Sequence, residues 1–491
     1  MWCPRSGLLA ALIVAVSVVP GAMAAQPMGA DEARHLLARA AFGGSPSEIA
    51  TFAALTREQA VDRLLARAPT APQTQPPAWV REPLPPPKQV AAMSPEERRT
   101  LLQEHNRRTI ELRGWWISEM LATEEPLAER MTLFWHNHFV SSQQKVRAAQ
   151  RIFEQNQLFR QHALGNFGAL LHATIRDPAM AIYLDATSNR KERPNENLAR
   201  EVMELFTLGE GHYTEADIRE AARAFTGWII EADSGQLVFA RGRHDVGTKT
   251  VLGATGAFDA DQVLDVLLAQ PATAEFIVKK LWRELVSLEP DSTVAKPIAA
   301  AFRSSGYELR VALRGLLLAN AFWAPQTRGA LIKSPVDLVI GTMRQFQFEV
   351  SSPAALALVT SQLGQVLFAP PNVKGWPGGE AWINTSSLLS RKQFVERVFR
   401  VEETPAPMRI QGGQGAAGRA RVAQAIDSIR FDGNRWFDAV KTANTNAGAG
   451  GVSAQCVALA IAPVVPLATT GPVTSRAQIA QLVLDPAYQL K

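Results

Sequence analysis

Pro194-Asn195-Glu196-Asn197-Leu198-Ala199-Arg200-Glu201-Val202-Met203-Glu204-Leu205-Phe206-Thr207-Leu208-Gly209 is a helix written in period and punctuation. At 100° per residue Leu198, Val202, Leu205 and Phe206 fall on one arc and pack inward, while Asn197, Arg200, Glu201 and Glu204 share another. Pro194 and Gly209 are start and stop signals, which bounds the helix at about four turns. The polar face has two readings. An Asn, an Arg and two carboxylates can coordinate a metal, relay protons or grip a polar ligand. They also make a solvated face, on which Arg200 and Glu204 form an i,i+4 pair worth only ~0.3 kcal/mol.

The same period recurs along the chain. Asp31 to Gly44 reads as an amphipathic helix stopped by paired glycines, and a second helix runs to about Ala66, giving an N-terminal helical unit over 25–68. Eight prolines in the 19 residues from Pro69 to Pro87 disfavour helix and sheet and make 69–93 a linker or surface strap. Ser94-Pro95-Glu96-Glu97 opens a long helix through Trp115-Trp116, and the next, from near Pro126, carries Phe134-Trp135-His136-Asn137-His138-Phe139. Further helices are expected at Asp177-Pro178, from Thr214, near Ala260, at Thr273 to Leu288, Tyr307 to Phe322 and Ser334 to Phe348, and from Asn384 or Thr385. Only Gln236 to Ala240 and Lys249 to Leu252, separated by Arg241 to Gly247, read as strands, paired as one short hairpin. The fold class is therefore mainly α, a multi-helix array with one β-hairpin. Residues 94–405 form its main domain, and 406–491 a Gly/Ala-rich segment with C-terminal helices.

With 47% hydrophobic and 20% charged residues over 491 positions, the composition is that of a globular protein with a large core. Residues 6–30 carry no charge, and the apolar run Leu8 to Val19 ends at Pro20 and Ala22-Met23-Ala24. Residues 1–24 read as a secretory signal peptide, too short in its apolar run to span a bilayer. The expectation is a periplasmic or secreted protein with no transmembrane anchor once the signal is removed. Only Arg5 leaves with it, so the remaining formal charge is +4 with the signs interspersed, and no nucleic-acid partner is implied. Cys456 is the one cysteine left and sits in an apolar stretch, as a buried small hydrophobe does.

Several residues could carry chemistry. His136 and His138 stand about 200° apart on a helix, so the two imidazoles do not readily share one metal; one faces a site while the other packs. His244-Asp245 offers an imidazole and a carboxylate on a turn. Trp382 to Arg391 is a helix start rich in hydroxyl and amide groups, where Asn384 and Arg391 either hold an anion or serve as cap and packing; Lys374 and the loop of Trp376 would wall it. HExxH, CxxC, GxSxG and Walker patterns are missing from the sequence. The cofactor stays open, and imidazole with carboxylate would suit Zn, Mn or Fe.

Taken together, Phe134 to Phe139, Pro194 to Gly209, Ala222 to Trp228, His244-Asp245 and Pro370 to Arg391 resemble the secreted bacterial family called domain of unknown function 1800. The likeness runs from His35-Leu36-Leu37-Ala38-Arg39 to Leu484-Asp485-Pro486-Ala487-Tyr488-Gln489. It implies a mostly helical exported protein, often encoded beside an exported sulfatase-like family, number 1501 among the domains of unknown function. It implies no reaction. Two functions are compatible with the residues. One is a periplasmic hydrolase whose Glu201 or Glu204 is general base or metal ligand, with His136 or His138 as partner and Asn197 or Arg200 orienting substrate. The other is a noncatalytic scaffold or chaperone for the sulfatase-like partner, with the same residues in a buried network.

Overall fold

The computed structural model describes residues 26–67, 70–399, 423–427, 429, 431–446, 461–467, 473 and 475–491. Residues 1–24, read above as a signal peptide, Cys456 and the Gly/Ala-rich stretches 406–422 and 447–455 lie outside the described residues. The fold is mainly α, with two short two-stranded antiparallel sheets. Among the described residues no helix is long and apolar enough to cross a membrane.

The helices begin where the sequence punctuates them. Ser45, Thr56, Ser94, Thr214, Asp259, Ser334 and Asn384 each close a capping box at the head of a helix. Their apolar faces build two hydrophobic cores. One gathers the helices Gly29–Ala40, Pro46–Ala53 and Arg57–Ala66 with those between residues 126 and 323. The other gathers the 28-residue helix Pro95–Ala122 with Pro335–Gln345, Pro353–Gln362, Thr385–Val398 and the C-terminal helices. Gly114 lets two of these cross closely, since a Cβ there would stand 3.1 Å from Ala354. The Pro-rich segment is a strap on the long helix. The backbone N–H groups of Gln73 and Thr74 donate to Glu119, and the Trp79 indole donates to Glu111. Contrary to the proline reading, Pro87–Ala92 is helical: Pro86 and Pro87 occupy the cap and first turn, where no amide hydrogen is needed.

Two other expectations are corrected. The single hairpin joining Gln236–Ala240 to Lys249–Leu252 does not form. Trp228–Ile230 pairs with Leu237–Phe239, and Lys249–Val251 with Ala254–Gly256. Local two- to six-residue turns close each pair, at far lower entropic cost than the Arg241–Gly247 loop. The four-turn helix is not uniform either: Glu196–Glu201 is α, and Val202–Thr207 is a π-helix. The wider turn buries Met203 and Thr207 beside Val202 and Phe206, and leaves Leu205 half-buried.

Candidate functional site

The helix Pro126–His138 lies on the seam between the two cores, giving Met131, Phe134 and Trp135 to one and Leu133 to the other. Its two histidines diverge as their spacing demands. His136 turns into a fully buried polar network. Asn156 Nδ2 donates to His136 Nε2 at 3.1 Å, Arg160 Nη1 donates to Asn156 Oδ1 at 2.8 Å, and Arg160 forks onto Glu129, which also accepts from the Trp116 indole at 3.0 Å. Burial, then Arg160, hold the His136 pKa down to about 3, so the ring stays neutral.

His138 meets the polar helix, but through its backbone. A carbonyl can only accept, so the contact at 3.2 Å between His138 Nε2 and Phe206 O places the proton on Nε2. Nδ1 is then the acceptor for Lys280 Nζ at 3.0 Å, and the same ammonium reaches Leu205 O at 3.4 Å. Burial, then Lys280, hold the His138 pKa well below its ordinary value.

Glu201 and Glu204 are not among the partners of either imidazole. Glu204 accepts from the Tyr213 hydroxyl at 2.8 Å. Glu201 is half-buried, its pKa raised by burial and then by Glu204. Arg200 forks onto Glu215 at 2.7 Å through both nitrogens and reaches Glu196, so the Arg200–Glu204 pair is replaced by a cross-helix one. Asn197 donates to Leu184 O at 3.2 Å. Among the described residues no three His, Cys, Asp or Glu side chains converge as a metal would require.

The other candidates serve local joints. His244 Nδ1 donates to Thr226 O at 3.0 Å, and Asp245 takes the Arg223 fork. Asn384 caps its helix reciprocally with Ser387. Arg391 is buried and donates to Gln489 Oε1 and Lys333 O.

The seam opens into a cleft of about 340 Å³. Asn137 and Phe134 come from the Pro126–His138 helix, Lys280, Arg283 and Glu284 from Pro271–Leu285, Trp382 from the 3-10 turn Gly379–Trp382, and Lys374 and Trp376 from the Pro/Gly-rich loop 369–378. Asn137 and that loop are locked together: Asn137 Oδ1 accepts from Trp376 N at 2.6 Å. Gly375, at φ 88°, permits the contact, because a Cβ would stand 2.7 Å from the Asn137 carbonyl oxygen. Gly375→Ala is therefore expected to cost ~1–3 kcal/mol in backbone strain alone and to detach the loop. Wild-type melting with an unchanged Trp376 fluorescence spectrum would count against that lock.

Five cations line the cleft, Arg130, Lys280, Arg283, Lys374 and Lys491, against Glu284 and Asp337. Both acids are already matched: Arg130 binds both, and Lys491 Nζ lies 2.7 Å from Asp337 and 3.7 Å from Glu284. Lys374 is 3.9 Å from Glu210 at the rim. Lys280 and Arg283 have no carboxylate among the described residues, Arg283 donating instead to Leu288 O. Burial, then Arg283, hold the Lys280 pKa down to about 8. The sequence reading missed Lys280. Its phase gives only a weak signal: position 280 falls about 20° outside Thr273, at the edge of the buried arc that runs through Ile277 and Leu281, where a lysine is ordinary.

Residues 35–490 match the family described as Protein of unknown function (DUF1800). The chain belongs to that family. No curated protein and no solved structure matches it. The match takes in both walls of the cleft, so DUF1800 membership covers Asn137, Lys280 and Trp376 as one unit.

Proposed function

We propose that this is an exported ligand-binding protein whose cleft receives an anionic group, a carboxylate, sulfate or phosphate, carried on an apolar or aromatic body. Lys280 carries the reading. It is a cation at the floor of a cleft, oriented by His138 Nδ1 and Leu205 O, with no carboxylate partner among the described residues. An incoming anion supplies the missing partner, Arg283 adds a second donor, and Phe134, Trp376 and Trp382 offer an apolar wall. His138 is then a positioning residue: its fixed tautomer aims the ammonium.

Calorimetric titration with a naphthalene sulfonate and an aromatic carboxylate tests this. The expected result is binding that weakens about tenfold, ~1.4 kcal/mol, in Lys280→Met. Affinity should also fall as pH rises through about 8, because the deprotonated amine no longer attracts the anion. Equal binding by Lys280→Met, or a pH-independent affinity between 7 and 9, would sink the proposal.

A noncatalytic scaffold is the second reading, favoured by one observation. His136, Asn156, Arg160 and Glu129 are bonded to one another deep in the fold, as a structural network is.

A further inference from the structure

Behind the cleft, across the Asp337–Lys491 pair, lies a second cavity of about 40 Å³. Its charged lining is Arg34, Lys333, Lys491 and Asp337, with Gly43 and Gly44 on one wall. The single acid is already spent. Asp337 accepts from Arg130 and from Lys491, and also takes the Ser334 amide within its capping box. Arg34 gives Nη2 to Asp31 at 2.8 Å, yet its Nε is buried with no partner among the described residues. Lys333 stands with Nζ 3.6 Å from the Tyr488 ring centroid and has no carboxylate partner among the described residues. A little further off, the buried Arg391 donates only to neutral oxygens, and its Nε is likewise unpartnered. Among the described residues, cationic side chains thus outnumber acidic ones around this cavity, even with Asp31 beside Arg34 and Glu284 beside Lys491, an arrangement that favours a bound counter-charge.

We propose that this cavity binds a small monatomic anion, chloride in its natural setting, held between Lys333, Arg34 and Lys491. The volume selects the class. At about 40 Å³ against about 340 Å³ for the cleft, it suits a small anion rather than a bulky one. The ion would sit among these cationic groups and offset the charge that Asp337 shares between Arg130 and Lys491. Burial holds the unliganded Lys333 pKa down to about 7, so anion uptake should bring a proton with it above neutrality. The site shares only the Asp337–Lys491 pair with the cleft and does not depend on the proposed cleft ligand.

Thermal melts at pH 6.5 and constant ionic strength, with sodium chloride replaced stepwise by sodium gluconate, read the site. Chloride is expected to raise Tm by about 1–3 °C, as an ion that binds only the folded state does. Lys333→Met should lose that dependence, while Lys280→Met, altered only in the cleft, should keep it. Should Lys333→Met not fold, a bromide-soaked crystal of the unaltered protein decides: an anomalous peak between Lys333 Nζ and Arg34 supports the site. A cavity without bromide, or a Tm indifferent to the anion, overturns the proposal and leaves a water in its place.

Discussion

Replacing Arg160 by Met is expected to destabilise the fold by about 3–5 kcal/mol. Arg160 and Glu129 are both essentially without solvent contact, at 0% and 1% exposure, so the loss leaves a carboxylate stranded with only the Trp116 indole as donor. Two further bonds go with it, since Asn156 loses the donor that orients it towards His136. Urea unfolding measures the effect, with Glu129→Gln in the same chain as the control that removes the stranded charge. Recovery of a large part of the loss in the double variant is expected. A single-variant loss below about 1 kcal/mol would mean that the network contributes nothing beyond ordinary packing.

Acidification from pH 7.5 to 5 is expected to remove about 3 kcal/mol of stability. His35, His136 and His138 are buried, and burial holds each neutral: His35 at about 2, His136 at about 3, and His138 well below its usual value. A histidine with a depressed folded pKa stabilises the fold above its unfolded pKa of ~6.5 and loses that contribution as pH falls towards the folded value. Asp177 works the other way. Burial lifts its pKa to about 7, so below neutrality the folded form holds a proton that the unfolded form does not take up until much lower pH. Three protons taken up on unfolding against one released give a net uptake that grows from near zero at pH 7.5 to about two at pH 5. The slope of unfolding free energy against pH reads that number directly. A flat profile between pH 7.5 and 5 would show that the histidines are hydrated or already charged in the native state.

The helix array was legible because its signals are local. Caps, prolines at first turns and apolar period fixed most helix starts, as at Ser94-Pro95 and Thr214. The hairpins were hidden for a local reason too. The second turns at Leu252-Gly253, with Leu252 at φ 49°, a conformation that leucine seldom adopts and that no turn rule flags. The π-helix was hidden because a 100° wheel presupposes an α-helix, and Thr207, whose hydroxyl bonds back to Val202 O, is silent in such a wheel. At the site, His138 and Asn137 were visible as a motif, but what they hold was not. Lys280 and Trp376 lie 142 and 239 residues from the groups they bond, and no spacing rule connects positions so far apart.

The Asp337–Lys491 pair that divides the cleft from the inner cavity joins positions 154 residues apart, and the strand-like exchange between Leu331 and Lys491 closes the same loop. Helices that pack on sequence neighbours order early, whereas a partition of such high contact order forms only after the long loop has been closed. The first core can thus be native while the C-terminal part of the second, and with it the binding surface, is still open. The resulting late intermediate would be compact, helical and unable to hold ligand, and a ligand that reaches across the partition would act as a latch on the final folding step, slowing its reversal more than it speeds its formation.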